Sequence, residues 1–232
     1  MCGAVHSGPS WAVLFDGVEA SGETGRKPSP RNAHESVVAL DPGVRTFQTT
    51  YDATGLITEW GKGDMTEIFL MCRRADKAQS VCAKKKGSKK RGAKRAWYRR
   101  LDDIKNKVKE VHCKMALWLC ENYTVILIPI FETSQMVCKA NRKIRSMTAR
   151  QMLTWSHFKF RQLLKNKTEL FPGVHVVECE EPYTTKTCGC CGTLNQTIGG
   201  SKTFKCKACG YVADRDINAS RNILLRHLSL FC

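Results

Sequence analysis

Four cysteines carry the clearest chemistry in this sequence. Cys188 and Cys191 form one C-x2-C pair, Cys206 and Cys209 form another, and fourteen residues separate the pairs. Two intervening residues let both sulfurs of a pair turn toward one ion. Gly189, Gly192 and Gly210 supply the backbone freedom that such knuckles need. Four thiolates suit tetrahedral zinc, and a closed set leaves no position for water, so the zinc expected here is structural. Cys190 lies inside the first knuckle and competes as a ligand. The other cysteines are scattered and read as small buried hydrophobes. The total of thirteen is odd. With no secretory leader visible, it points to reduced thiols rather than a disulfide framework.

Two carboxylates form a second constellation. Asp41 ends the apolar run Val37-Val38-Ala39-Leu40, just before Pro42-Gly43. A charge there is costly unless it is used or paired. Asp216 lies in Asp214-Arg215-Asp216-Ile217-Asn218-Ala219, at the start of the last predicted helix. Plainer roles stand beside the chemical one: a turn aspartate for Asp41 and a helix N-cap for Asp216. Chemically, acids at strand and helix ends of a basic α/β chain suit two-metal phosphodiester hydrolysis, in which bound ions supply an activated water and stabilise the leaving oxygen. Mg2+ or Mn2+ fits oxygen ligands of this kind.

The charge narrows the partner. Lys and Arg exceed Asp and Glu by +17 over 232 residues, which favours a polyanion, nucleic acid before anionic membrane. Lys84 to Arg100 alone holds ten Lys or Arg in seventeen residues without an acid. They are Lys84, Lys85, Lys86, Lys89, Lys90, Arg91, Lys94, Arg95, Arg99 and Arg100. The acid-free stretch Thr133 to Thr168 adds nine more, among them Arg142, Lys143, Arg145 and Arg150. The remainder of the chain is near neutral. The first run reads either as a solvated or nuclear-localisation-like patch or as a phosphate-gripping arm on which Trp97 and Tyr98 offer stacking surface. It lacks the interleaved apolar face of a membrane-surface helix. The longest apolar run, Val125 to Phe131, is too short to span a bilayer. No obligate protein partner is predicted.

The elements that must position these groups are α/β in pattern. Residues 1–35, with twelve Gly, Pro or Ser, read as a flexible leader or the remnant of a longer N-terminal region, with Trp11 to Phe15 as a possible strand. Val37 to Leu40, Thr46 to Tyr51 and Leu56 to Trp60 predict a three-stranded meander. Residues 64–121 predict a helical pair with a loop at Gly87, Ser88 and Gly92. Val125 to Phe131 predicts a buried strand, Thr148 to Leu164 a helix, Val174 to Cys179 another strand, and Asp216 to Leu230 a closing helix. Trp155 and Phe158 are expected in the core.

Motif order adds a resemblance. Leu40-Asp41-Pro42-Gly43-Val44-Arg45 resembles the first RuvC motif of transposon-encoded TnpB nucleases. Tyr183-Thr184-Thr185-Lys186-Thr187-Cys188-Gly189-Cys190-Cys191-Gly192 resembles the first arm of their zinc ribbon. Cys206-Lys207-Ala208-Cys209-Gly210-Tyr211, with Asp214 to Ile223, resembles the ribbon's end and the third RuvC motif. Phe131-Glu132-Thr133-Ser134-Gln135-Met136 and Lys143 to Arg150 look like Fanzor, the eukaryotic and viral branch.

The resemblance spans about residues 36–232. It implies an RNase H-like (RuvC) mixed sheet flanked by helices: a nuclease domain over 36–187 with a basic helical insertion at 64–121, an inserted zinc ribbon over 188–209, and a C-terminal RuvC segment over 210–232. It also implies guide-RNA-directed cleavage of DNA with Asp41 and Asp216 as catalytic carboxylates, structural Zn2+, and an intracellular, nuclear location.

The second carboxylate departs from the TnpB pattern. Pro129 falls where those nucleases carry a glutamate. The resemblance to Fanzor implies a displaced residue, Glu181, two before the Tyr183-Thr184 pair; Glu132 is the alternative and Glu180 a weaker one. Larger relatives carry domains ahead of the first motif, where this sequence has 35 residues. Two functional readings follow: an RNA-guided DNA endonuclease, or a truncated zinc-ribbon remnant that binds nucleic acid without cutting.

Overall fold

A computed structural model describes residues 36–139, 144–180, 183–196 and 201–228. Its centre is a five-stranded mixed sheet of order β3-β2-β1-β4-β5. The strands are β1 (Val37–Pro42), β2 (Gln48–Asp52), β3 (Ile57–Trp60), β4 (Val125–Pro129) and β5 (His175–Cys179). β1, β2 and β3 form the predicted antiparallel meander. β4 joins β1 in parallel, and β5 joins β4 in parallel.

Alternation along the strands sorts the side chains onto two faces. Val38, Leu40, Ile126 and Ile128 face the larger core. That core is closed by α1 (Asp64–Ala83), α2 (Gly87–Asn122), α4 (Ser146–Trp155) and α5 (His157–Thr168). Ala39, Leu127 and Cys179 face the other way, under Ile223 and Leu224 of α6 (Arg215–Leu228).

The basic insertion is a helical pair, as expected, but its turn falls at Lys84–Lys86. Gly92 lies inside α2, a helix of 36 residues. One interior glycine costs about 1 kcal/mol, which a helix docked along α1 and α5 absorbs. The stretch after β4 begins with a short helix, α3 (Thr133–Val137).

The single helix expected from Thr148 to Leu164 is two. Ser156 breaks it in the left-handed region, at φ 52°. The reason lies in its neighbours. Trp155 and His157 are both buried, yet residues two apart on one helix point in nearly opposite directions. The break turns both inward, where their rings pack on Phe47. Trp155 is core, as expected. Phe158 is not: it is exposed, with the Arg161 guanidinium 5.5 Å from its ring centre.

A second, two-stranded sheet, β6 (Thr203–Lys205) with β7 (Val212–Asp214), follows the first cysteine pair. Among the described residues no helix is long and apolar enough to cross a membrane. The Trp11 to Phe15 strand lies outside the described residues.

Candidate functional site

Sheet register places the first carboxylate. Asp41 stands opposite Thr49 of β2, and Thr49 stands opposite Glu59 of β3. Paired residues share a face, so Asp41, Thr49 and Glu59 form one row, on the α6 side. Lys202 ties that row to α6: its Nζ lies 3.7 Å from Glu59 Oε1 and 3.2 Å from Asp214 Oδ2. The backbone N–H of Arg215 donates to Lys202 O at 2.7 Å. The first turn of α6, which carries Asp216, therefore sits at the sheet end where β1 delivers Asp41. Burial alone would lower the Lys202 pKa, but the carboxylates of Asp214, Glu59 and Asp216 outweigh it and raise it.

Asp216 is not the helix cap. Asp214 fills that role, its Oδ1 accepting the Asp216 backbone N–H at 2.9 Å. The Asp216 side chain is thereby released from capping. Its Oδ1 meets the Arg215 guanidinium at 3.4 Å, and the carboxylate is 19% exposed.

The glutamate candidates part company. β4 ends at Pro129, which pairs with Cys179 on the α6 side. Phe131 beyond it packs on His157, on the opposite face. Glu132 is exposed at the start of α3, accepting a hydrogen bond from the Gln135 side-chain amide. Glu180 is exposed. Glu181, two residues after Cys179, lies outside the described residues, as do Arg142 and Lys143.

The four cysteines converge as their spacing predicts. The Sγ atoms of Cys188, Cys191, Cys206 and Cys209 lie within 4.8 Å of one another. Cys188–Cys209 and Cys191–Cys206 are each 3.7 Å apart. Four sulfurs about 2.3 Å from a tetrahedral zinc would stand about 3.8 Å apart, so the set fits that ion.

The two knuckles are built alike. Cys188 O accepts from Gly192 N–H, and Cys206 O accepts from Gly210 N–H. Both glycines are left-handed, at φ 73° and 72°, the conformation glycine adopts without penalty. Hydrogen bonding with Thr193 pulls the Cys191 thiol down to about 6, while burial pushes Cys188 up and Cys209 is raised to about 12. Cys190 is exposed and stands apart from the four.

Sequence reasoning missed the residues that join the two constellations. Lys202 and Asp214 are one link, and Asn218 and Asn222 of α6 are another, bonding the chain around Cys188. The available signal was Asn at i and i+4 inside a helix, where asparagine is a poor former.

The ten positive residues from Lys84 to Arg100 are solvent-exposed, and none is ion-paired among the described residues. Trp97 and Tyr98 stack at 5.1 Å, and Lys94 Nζ lies 5.5 Å from the Tyr98 ring centre. Arg145 is exposed at the head of α4. Arg150 is already engaged, its guanidinium bonding both oxygens of Asp76 at 2.6 and 2.7 Å.

Comparison with known proteins agrees with the motif order. Residues 157–223 match the Cas12f1-like TNB domain family. A putative transposase, A625R, of Paramecium bursaria Chlorella virus 1 is 38% identical over 83% of this chain and 44% of its own length. The TnpB-like protein L79 of Acanthamoeba polyphaga mimivirus is 30% identical over 83% of this chain and 38% of its own. The chain belongs to the TnpB family. This TnpB-family chain spans less than half the length of those relatives. Its fold matches Cas12f1 in a cryo-EM structure of a Cas12f1–sgRNA–target DNA complex, with a TM-score of 0.53 at 18% identity, over 81% of this chain and 49% of that one.

Proposed function

We propose that this chain is the nuclease portion of an RNA-guided DNA endonuclease, with an RNase H-like (RuvC) sheet and an inserted zinc ribbon. Asp41, Glu181 and Asp216 hold Mg2+ or Mn2+ at the end of the sheet. The observation that carries the reading is the row Asp41–Thr49–Glu59, bridged by Lys202 and Asp214 to the turn that bears Asp216. Half-buried acids brought together from both ends of the chain suit metal-assisted phosphodiester hydrolysis; the ions, when bound, supply the activated water and stabilise the leaving oxygen. The protein's part is to fix the carboxylates in place and hold the strand nearby. The positive run over the turn at Lys84–Lys86 and the first turns of α2, without an ion pair among the described residues, suits the second task, gripping DNA or a guide-RNA heteroduplex by its phosphates.

Glu181 is preferred because β5 ends at Cys179 on the same face as Pro129, the position the family glutamate would occupy. That Pro129 stands there also supports a second reading, a nucleic-acid-binding chain that does not cut.

Cleavage of single-stranded and duplex DNA with Mg2+ or Mn2+, with and without co-purified RNA, separates the two. Asp41→Ala and Asp216→Ala should each lower the rate by at least about a thousandfold, consistent with loss of several kcal/mol of transition-state stabilisation. Glu181→Gln should do the same, while Glu132→Gln retains activity. The reverse pattern for the two glutamates overturns the assignment. Salt-sensitive binding without cleavage under any condition leaves the second reading.

A further inference from the structure

Asn218 grips both peptide groups that flank Cys188. Its Oδ1 accepts the Gly189 N–H at 2.8 Å, and its Nδ2 donates to Thr187 O at 2.8 Å. One turn later, Asn222 Nδ2 donates to Thr187 O at 2.7 Å and to Thr184 O at 2.8 Å. Both asparagines are buried, Asn218 completely. Gly189 is needed here for space, not for an unusual φ. A Cβ on it would lie 3.0 Å from Asn218 Oδ1 and 3.3 Å from Asn222 Oδ1.

Two turns of one helix thus carry two different attachments. Asp216 lies in the turn that Lys202 and Asp214 tie to the carboxylate row, and Asn218 and Asn222 hold the first cysteine knuckle. Buried asparagines at i and i+4 are a poor choice for helix stability. Their four hydrogen bonds all leave the helix for the knuckle, so the helix spends propensity on a clamp.

We propose that Asn218, supported by Asn222, is a positioning residue that couples the four-cysteine site to the first turns of α6, so that a metal-filled knuckle fixes the turn bearing Asp216. The functional consequence rests on the reading of Asp216 as a metal-holding carboxylate; the coupling itself does not. Partners in the shell around metal ligands typically change metal affinity by about 10–100-fold when removed. Coupling is reciprocal, so whatever the metal does for α6, α6 does for the metal.

The test uses the full chain and no cleavage assay. Co2+ titration, read by thiolate charge-transfer and d–d absorption, should show affinity about 10–100-fold weaker for Asn218→Ala than for the unsubstituted chain. Asn218→Asp keeps the acceptor for Gly189 N–H and loses the donor to Thr187 O, so it should fall between. Ser220→Ala is the control, because the Ser220 hydroxyl donates to Ile217 O within α6. Hydrogen exchange gives the second readout. Stripping the metal should speed exchange across residues 216–222 of the unsubstituted chain by about tenfold or more, with β1 unchanged. In Asn218→Ala those amides should exchange fast whether metal is present or not. Unchanged Co2+ affinity in Asn218→Ala overturns the proposal, and so does exchange in α6 that ignores the metal. A chain that passes both tests and still cuts no DNA breaks the nuclease reading and leaves the coupling intact.

Discussion

The cysteine site and the carboxylate row are assembled in opposite ways. The cysteine site is local: all four cysteines lie within 22 residues, and each knuckle closes by the same short hydrogen bonds around a left-handed glycine. The carboxylate row is not local. Asp41 and Asp216 are separated by most of the chain, and strand register, a lysine bridge and a capped helix must all agree before they share one end of the sheet. A site made locally can be lost without unfolding the rest, and a site made by register is only as sound as the sheet.

Metal removal breaks the comparison most severely. Structural zinc is worth on the order of 10 kcal/mol to small domains that need it. Chelation, or Cys206→Ser, should leave residues 183–214 open to limited proteolysis while the melting of β1 to β5 moves by only a few degrees. Cooperative unfolding of the whole chain on chelation would erase the distinction between the two regions.

The next largest effect should come from the meander. Asp52 caps the β2–β3 hairpin through the N–H groups of Thr54 and Leu56 and the Thr54 hydroxyl, and its Oδ2 accepts from the Tyr123 hydroxyl at 3.1 Å. This buried carboxylate pins the hairpin to the end of α2 and so fixes the register that aligns Asp41, Thr49 and Glu59. Asp52→Ala leaves those donors without their acceptor and should cost about 3 kcal/mol by denaturant unfolding. It should leave Co2+ uptake by the four cysteines unchanged. Loss of both together would show that the cysteine site depends on the sheet after all.

The same division explains what was legible in the sequence. The knuckles were, because ligand spacing and glycine positions are local facts. So were the strands and the mixed α/β class, because their apolar runs are continuous. The row Asp41–Thr49–Glu59 was not, since a pattern of apolar residues does not state which residue of β2 faces Asp41. Nor was the role of Asp214, which took the capping position that Asp216 could have filled. The break at Ser156 was hidden for a related reason: helical spacing fits the residues on either side, and only the burial of both Trp155 and His157 demands the turn.

That burial has a pH consequence confined to the sheet side of the comparison. His112 and His157 both stack on Phe47. Burial lowers their pKa values to about 4 and about 3. Their folded-state values lie below the ordinary 6.5, so the unfolded chain takes up protons first as the pH falls. Stability should therefore decline below pH 6.5, by up to about 1.4 kcal/mol per pH unit for each histidine, until the folded values are reached. His157→Phe should flatten the fall in melting temperature between pH 6.5 and 4. An unchanged slope would place the acid sensitivity elsewhere.

The smallest effect should come from the pair that looks strongest on paper. Arg150 and Asp76 are bidentate and link α4 to α1, and the guanidinium hydrogen bonds hold the Asp76 carboxyl below its ordinary range. Both side chains are more than two-fifths exposed. Water and salt screen such a pair, and ordering two long side chains offsets much of its attraction. Arg150→Ala should change stability by less than about 1 kcal/mol. Its effect on nucleic-acid binding separates two roles for this positive charge. If Arg150 also contacts phosphate, its removal would lower the salt dependence of binding by close to one phosphate's share, a slope change of about 0.9. A residue held by Asp76 would leave that slope alone, whereas alanine at Lys89, Lys90 and Arg91, exposed on α2 and without an ion pair among the described residues, should reduce it. Equal slopes for both variants would mean that the ion pair does nothing to set Arg150 apart from the rest of the positive surface.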